Sequence, residues 1–489
     1  MIQRLGHNKL RVADKYLLLT GATGFVGRYL LRDLLLTGHR VAVVIRPDRK
    51  STAPQRIEAI MQHWEREAGR ILPRPIVLSG DIREKRIGLS NEDFAWVQNS
   101  CDRIVHSAAV LHFFGDRQSE PWLTNVDGTK NIVSLCEHFA VRQFHYLSTA
   151  YACGQRTDRV LENELDKGQS FRNDYEHSKF VAESYVRDHC AAGSVTVYRP
   201  SVVVGDSQTG ATTSYHGLFL YLRLLAMLVP QQQRNARGAI YTPIQLPLQG
   251  DEPRNLVPVD WVSQVICGII GNRAAHGQTF HLTPDVRTTP RLVVDSCYEY
   301  FNSCGVEYAG PQSHADGHES EFAKSFFENT KIYHDYDRSD PDFDRANLKK
   351  FTGHLPCPAI DKAMVKRFLE FGASDQWGKS RPLPVLPAIE VEAGLQSLTR
   401  LMAVDDQADG CELCAAVDIH GPGGGQWTLS RDAFGHWNMA RGIDPAAKHL
   451  LQLNSADVCP SQSRDVSSHW FGKLFDVADS SPIPLNVPK

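Results

Sequence analysis

An apolar strand pattern running straight into three evenly spaced glycines constrains this chain more than any other feature. Tyr16-Leu17-Leu18-Leu19-Thr20 leads into Gly21-Ala22-Thr23-Gly24-Phe25-Val26-Gly27, and Phe25–Leu36 then has the spacing of an amphipathic helix. Strand, glycine turn and helix in this order bring backbone against a dinucleotide pyrophosphate. Gly21 permits the tight turn, Gly24 lets backbone approach the phosphates, Gly27 lets helix pack on strand, and the helix N-terminus faces the negative charge. Thr23, Phe25 and Val26 belong to the same turn and are expected among the cofactor contacts. The rhythm continues. Val41–Ile45, Ile76–Leu78, Arg103–His106, Gln143–Ser148 and Val195–Tyr198 read as short strands rich in Val, Ile and Leu, separated by amphipathic stretches such as Lys130–Phe139. This alternation predicts an α/β fold, a Rossmann-type doubly wound parallel sheet covered on both faces.

The second strand ends in Arg46-Pro47-Asp48-Arg49-Lys50. An NAD enzyme usually carries an acidic residue here for the ribose 2′-hydroxyl. Arg46 suits a 2′-phosphate instead, which makes NADP (as NADPH) the expected cofactor. Asp81 and Ile82 follow the third strand, where Asp81 can accept from the adenine amino group or simply cap the loop. After the fourth strand, His106-Ser107 leads into Ala108 and Ala109, small residues that let backbone come close to the cofactor. Asn125 opens the next helical stretch, either to hold that turn or to reach the active site.

The second informative motif is Tyr175-Glu176-His177-Ser178-Lys179. Four apart on a helix, Tyr175 and Lys179 share a face. An ammonium near a phenol lowers the phenol pKa towards working pH and makes Tyr175 a general acid, while Lys179 can also hold the nicotinamide ribose. A third hydroxyl is expected from Leu147-Ser148-Thr149-Ala150-Tyr151, with Thr149 first and Ser148 second. Arg199-Pro200-Ser201 ends the next strand and is expected at the floor of the substrate pocket.

From about Val202 the strand–helix rhythm loosens. Leu218–Leu228, Asp260–Ile270 and Pro290–Phe301 read as helices among loops, and Gly310 to Asp344 is mostly polar. This region is expected to cap the substrate site. Its histidines, His314, His318 and His334, match no metal-ligand spacing and read as a solvated loop, so no metal is expected. Trp377 to Pro387 carries three prolines and reads as a linker. Beyond it, Gly421-Pro422-Gly423-Gly424-Gly425 reads as a turn between two strands. The expected domains are 1–375, with an NADP-binding core at about 14–205 and a substrate part at about 206–375, then a linker at 376–392 and a smaller C-terminal α+β domain at 393–489.

A net charge of −3 without long one-sign blocks argues against nucleic acid or an anionic membrane as the main partner. The apolar run Gly217–Pro230 is too short to span a bilayer and carries Arg223. No signal-type apolar stretch precedes the first strand, so a soluble cytoplasmic protein is expected. The 11 cysteines fit reduced thiols. Cys411 and Cys414 lack two further ligands and read as residues packed in or beside a strand.

Taken together, these motifs resemble the extended short-chain dehydrogenase/reductase family over roughly Tyr16 to Phe371. The likeness is greatest to thioester reductases and fatty acyl-CoA reductases of the male-sterility type. It is carried by His106-Ser107-Ala108-Ala109, by Ser148-Thr149-Ala150-Tyr151, by the stretch Arg199-Pro200-Ser201 through Asp206-Ser207-Gln208-Thr209-Gly210, and by Asn255-Leu256-Val257-Pro258-Val259-Asp260. The resemblance implies a catalytic triad of Thr149, Tyr175 and Lys179. It also implies an NADPH-dependent reduction of an acyl thioester to an aldehyde, which can be reduced again to an alcohol. With no adenylation or carrier segment in the chain, the thioester is expected in trans, on coenzyme A or a separate carrier protein, and the oligomeric state is left open. The C-terminal residues Trp427-Thr428-Leu429, Leu451 to Val458 and Phe471-Gly472-Lys473-Leu474 resemble a sterol-carrier-type lipid-binding domain; a small accessory domain is the alternative. Other readings are an alcohol or hydroxysteroid dehydrogenase or sugar-nucleotide epimerase of the same fold, or a non-catalytic NADP- or lipid-binding regulator.

Overall fold

The computed structural model describes residues 15–139, 141–191, 193–310 and 320–380, then 385, 391, 395–396, 413–432, 436–447 and 449–458. Strand and helix alternate from the start: β1 (Tyr16–Thr20), α1 (Phe25–Leu36), β2 (Val41–Ile45), α2 (Ala53–Ala68), β3 (Ile76–Ser79), α3 (Asn91–Ser100), β4 (Cys101–His106), α4 (Gly128–His138), β5 (Gln143–Leu147), α5 (Asp174–His189) and β6 (Val195–Pro200). Next come β7 (Val202–Val204), α6 (Leu218–Leu228), β8 (Ile240–Leu246), β9 (Leu256–Pro258), α7 (Val259–Gly271), β10 (Thr279–Leu282), α8 (Pro290–Phe301), β11 (Ser303–Tyr308), α9 (Glu321–Thr330), α10 (Ala346–Thr352) and α11 (Lys362–Ser374).

Seven parallel strands form the main sheet in the order β10-β6-β5-β4-β1-β2-β3. The side-chain alternation along β1 explains the double covering. Leu17 and Leu19 point into one apolar cluster with α1, α2 and α7, while Tyr16 and Leu18 point into a second on the opposite face. Strand order reverses between β1 and β4, so the ligand crevice of such a sheet opens at the carboxyl ends of these two strands. There Thr20 and His106 are paired in register, and the Thr20 hydroxyl meets His106 Nδ1 at 2.7 Å. Helix starts follow local chemistry. Thr52 caps α2 in a reciprocal capping box with Gln55, and the Asn173 side chain accepts from Glu176 N–H at the start of α5.

The region after Val202 holds more strand than the sequence suggests. β7 pairs with β9 and β8 with β11 as small parallel ribbons, and β10 joins the main sheet beside β6. β10 is four residues long with two polar members, and β8 contains Pro243, so neither presents a clean strand pattern. α7 packs on α1, so part of the stretch read as the substrate side returns to the core. The remainder, chiefly α6, α8, α9, α11 and the β8–β11 ribbon, forms the cap.

The described C-terminal residues form a mixed four-stranded sheet of β12 (Leu413–His420), β13 (Gly425–Arg431), β14 (Trp437–Arg441) and β15 (His449–Asn454), in the order β14-β13-β12-β15. The Gly421–Gly425 turn joins β12 to β13 as an antiparallel pair. The half-buried Cys414 lies in β12, whereas Cys411 lies outside the described residues, as do His314 and His318. The sheet docks on the amino ends of the Rossmann strands. Tyr16 Oη donates to Gln426 (2.6 Å) and accepts from Ile443 N–H (3.0 Å), and Arg441 pairs with Asp93 (2.9 Å).

Candidate active site

At the other end of the sheet, the glycine turn is built as a backbone cradle. Gly21 has φ +77°, and a Cβ there would lie 2.6 Å from Ala108 N; a Cβ on Gly27 would lie 2.0 Å from the Gly21 carbonyl oxygen. Both positions exclude any side chain. Gly24 is the N-cap of α1 and supplies no capping side chain, so the free N–H groups of the first turn face outward. Residues Gly24 to Gly27 then line a cavity of about 550 Å³. A turn closed by glycines and an uncapped helix start fit a pyrophosphate.

The same cavity is lined by Ala109, Ser148, Thr149, Tyr175, Lys179, Pro200 and Ser201. The turn and the predicted triad therefore open onto one space. Ala108 lies behind the wall, pressed against Gly21. Arg199 is buried, but it serves as the partner of Glu183 (2.6 Å) rather than as pocket floor. Asn125 holds the loop after β4: its amide accepts from Val110 N–H (2.8 Å) and donates to Val110 O (3.1 Å) and to Ser178 Oγ (3.0 Å).

Thr23, Arg46, Asp81 and Ile82 stand to the side of this cavity, at the ends of β1, β2 and β3. Arg56, from α2, donates to the Arg46 carbonyl and reaches Thr23 Oγ1 at 3.4 Å. It is a cation the sequence reading did not select, because it lies in a helix and only the fold brings it back to β2. Arg83 grips the Asp81 carboxylate (2.7 Å), with Arg46 at 3.9 Å. Burial raises the Asp81 carboxyl, but the hydrogen bonds and charge from Arg83 outweigh it and hold the group below its usual value. Asp81 thus already has protein donors, among them Arg83 N–H (3.1 Å), the bond of a loop cap. Ile82 packs against Gly128.

The electrostatics of the triad differ from the simple picture of an ammonium acidifying a phenol. Tyr175 is pushed up to about 12, first by burial and then by the neighbouring Glu176 carboxylate, with a Thr149 hydrogen bond acting in the opposite direction. Lys179 is itself pushed down to about 7 by burial, partly opposed by Glu183. Its Nζ donates to the Leu147 carbonyl (2.7 Å) and to Tyr146 Oη (3.1 Å), and lies 4.6 Å from the Tyr146 ring centre. Lys179 is therefore anchored to the end of β5, and burial sets the Tyr175 phenol. Thr149 Oγ1 accepts from Tyr151 N–H at 3.3 Å and faces Pro200 O at 3.5 Å. Ser148, the second choice, is buried and lines the cavity beside Thr149.

The cap contributes residues that no local motif marks. Tyr336 Oη donates to Glu176 (2.8 Å) and accepts from Asn173 (2.7 Å), tying the cap to the start of α5. Asp340 accepts from Tyr151 Oη (3.0 Å) and from Asn255 N–H (2.6 Å). Asn255 and Asp260, both in a stretch that carries the family likeness, are scaffolding: Asn255 ties down the strap at Pro341 and Asp340, and Asp260 holds Ser207 at 2.6 Å. Leu225, Leu246, Leu248, Val293 and Phe326 supply an apolar wall. No described residue of the C-terminal sheet lines the cavity.

Residues 19–266 match the family model described as male sterility protein. The chain belongs to that family. With it come the extended short-chain dehydrogenase/reductase type and a nicotinamide cofactor, so this male-sterility family member is an NAD(P)-dependent oxidoreductase. Among its relatives, it is 26% identical to "Aldehyde reductase lnaA" of Aspergillus flavus over 72% of this chain and 35% of that protein. It is 27% identical to "Non-canonical nonribosomal peptide synthetase hkm10" of Aspergillus hancockii over 55% of this chain and 26% of the synthetase. The chain thus spans about a third or less of the length of these relatives. A solved structure, the terminal R domain of the myxalamid PKS-NRPS pathway, superposes with a TM-score of 0.59 at 25% identity, covering 76% of this chain and 93% of that one. Among the described residues no helix is long and apolar enough to cross a membrane, and no group of three His, Cys, Asp or Glu could hold a metal.

Proposed function

We propose that this protein reduces an acyl thioester, carried in trans on coenzyme A or a carrier protein, using NADPH, and releases an aldehyde that can be reduced again to an alcohol. One observation carries the proposal: the glycine cradle and the Thr149, Tyr175 and Lys179 side chains open onto a single, mostly apolar cavity. Gly21 to Gly27 would hold the pyrophosphate, and Arg46, Arg56 and Thr23 the 2′-phosphate of the adenosine, which favours NADP over NAD. A bound NADPH supplies the hydride.

The chain's own residues supply the rest. Thr149 and Tyr175 donate hydrogen bonds to the carbonyl oxygen as it gains negative charge. A phenol held at about 12 keeps its proton at neutral pH, so Tyr175 is a proton donor to that oxygen throughout the working range. Lys179, held near 7, can exchange a proton at Nζ and is placed to secure the nicotinamide ribose. The apolar walls exclude water and favour an apolar acyl chain, fatty chains included.

NADPH oxidation against a panel of acyl-CoA and phosphopantetheine thioesters, with NADH as control, tests the reading. Turnover that depends on a thioester and prefers NADPH is expected. Tyr175→Phe should lower kcat by about 10²–10⁴ while NADPH still binds. Unchanged turnover in Tyr175→Phe, or oxidation of alcohols with no reduction of any thioester, overturns it.

A further inference from the structure

The turn that carries Tyr175 is closed by a residue of the cap. Asn173 is the N-cap of α5, and Asp174, Tyr175 and Glu176 make its first turn. In an ordinary capping box the N3 side chain reaches back to the N-cap N–H, as Gln55 does to Thr52 in α2. In α5 only half of that box forms. Glu176 N–H donates to Asn173 Oδ1 at 3.0 Å, but the return path runs through the cap. Asn173 Nδ2 donates to Tyr336 Oη at 2.7 Å, and Tyr336 Oη donates to Glu176 Oε1 at 2.8 Å. The three bonds make a closed ring through Asn173, Tyr336 and Glu176, and Tyr175 lies on the backbone that the ring spans.

Glu176 is fully buried, so its charge depends on its donors. Besides Tyr336 these are Arg172 N–H on Oε2 and Arg172 Nη1 on Oε1, each at 3.1 Å. Glu176 also acts on Tyr175 by charge, since after burial it is what pushes the phenol up to about 12. Tyr336 is held in turn. Phe113 stacks on its ring with centroids 5.8 Å apart, the Arg172 guanidinium lies 5.1 Å from the ring centre, and Arg254 Nη1 donates to its carbonyl at 2.6 Å.

We propose that Tyr336 is a positioning residue for the reaction: from the cap, its phenol closes the first turn of α5 and so fixes where Tyr175 presents its hydroxyl to the substrate. This rests on the reading above, in which Tyr175 donates to the carbonyl oxygen, and adds to it a residue that acts through Tyr175. Without the Tyr336 hydroxyl, Asn173 Nδ2 and Glu176 Oε1 both lose a partner and the turn loosens. A shift on the order of 1 Å at a proton donor is enough to cost up to about 10²-fold in rate.

The test is Tyr336→Phe on the full chain, which keeps the ring and removes the hydroxyl, made in the wild-type and Tyr175→Phe backgrounds and shown to be folded by NADPH binding. With NADPH and a saturating acyl-CoA thioester, the single-turnover rate should fall about tenfold or more, while Kd for NADPH stays within about twofold. In the Tyr175→Phe background the same substitution should cost less than about twofold, because the donor it positions is gone. A rate unchanged by Tyr336→Phe overturns the proposal. So does a loss of equal size in both backgrounds, which would mean that the phenol touches the substrate itself. Hydrogen exchange of the free protein reads the turn with no substrate present. The Glu176 and His177 amides, which both donate to Asn173, should exchange at least about fivefold faster in Tyr336→Phe, with Val181 to Val186 unchanged; equal protection overturns the proposal. If the wild type reduces no thioester, the thioester reading fails by itself, and the exchange result decides this one.

Discussion

Gly27→Ala is the substitution in which simple expectation and structure give opposite signs. Gly27 is the third residue of α1, and in an ordinary helix interior alanine is more stable than glycine by about 1 kcal/mol. Here the added Cβ would lie 2.0 Å from the Gly21 carbonyl oxygen, 2.7 Å from its carbonyl carbon and 3.1 Å from Ala22 Cα, where ordinary contact begins at 3.4 Å. All three neighbours are backbone, so no side chain can swing aside, and the turn and helix must separate by well over an ångström. Forced overpacking of this kind costs roughly 1–3 kcal/mol and sometimes more, which exceeds the propensity gain. The larger effect falls on the cofactor. The displaced backbone is the part expected to face the pyrophosphate, and each charge-assisted hydrogen bond lost there is worth about 1.5–3 kcal/mol, so NADPH affinity should fall at least about tenfold. Gly69→Ala serves as the control. Gly69 has a positive φ, +61°, but nothing lies within 4 Å of the added Cβ. It should lose about 1–2 kcal/mol of stability from the left-handed backbone alone and bind NADPH normally. Fluorescence titration of NADPH and thermal unfolding of both variants measure the two effects. A Gly27→Ala protein that melts at or above the wild-type temperature and binds NADPH with unchanged Kd would refute the reasoning.

Three further outcomes follow from the same geometry. Lys179 titrates near 7 in the folded protein and near 10.4 when unfolded, so stability present above about pH 10 is lost as pH falls through about 7; denaturant midpoints should rise from pH 7 to 9 in the wild type and stay flatter in Lys179→Met. The double variant Arg46→Ala/Arg56→Ala should raise KM for NADPH by about 10–100-fold and leave KM for NADH within a few-fold, and parallel changes for both cofactors would remove these arginines from the 2′-phosphate. Glu183→Gln breaks a fully buried pair with Arg199 at 2.6 Å and should cost about 3–5 kcal/mol in urea unfolding, with a loss below 1 kcal/mol showing that the pair is dispensable.

What could be read in the sequence and what could not divides along the range of the interactions. β1, β2 and α1 fall where expected because each records its environment locally: five consecutive buried residues in each strand and one apolar stripe in the helix. That Thr149, Tyr175 and Lys179 share one cavity was legible because two sit four apart on one helix and the third follows a strand next to the one that carries Arg199. Arg56 was not. It reaches Thr23 only because the Thr52 capping box starts α2 at a point that turns Arg56 back over the end of β2. Tyr336, Asp337 and Asp340 were hidden for a deeper reason. They come from a polar segment whose place is fixed by partners more than 80 residues away, Glu176, Arg254 and Asn255, so no local pattern marks them. The family stretch at Asn255 was visible as a motif; Asn255 itself holds that strap, while Leu256 of the same stretch lines the cavity. The C-terminal sheet makes the same point from the other direction. Its texture suggested a lipid-binding partner for the acyl chain, yet Gln426 and Ile443 fasten on Tyr16, at the amino end of β1, while the glycine turn that opens the cavity leaves from the carboxyl end. The described part of that sheet therefore braces the amino ends of these strands. Removing the Tyr16 hydroxyl in Tyr16→Phe should accordingly lower the unfolding midpoint, leaving buried Gln426 without its donor, and leave KM for a thioester unchanged. A shift in KM without loss of stability would instead place this sheet in the path of the substrate.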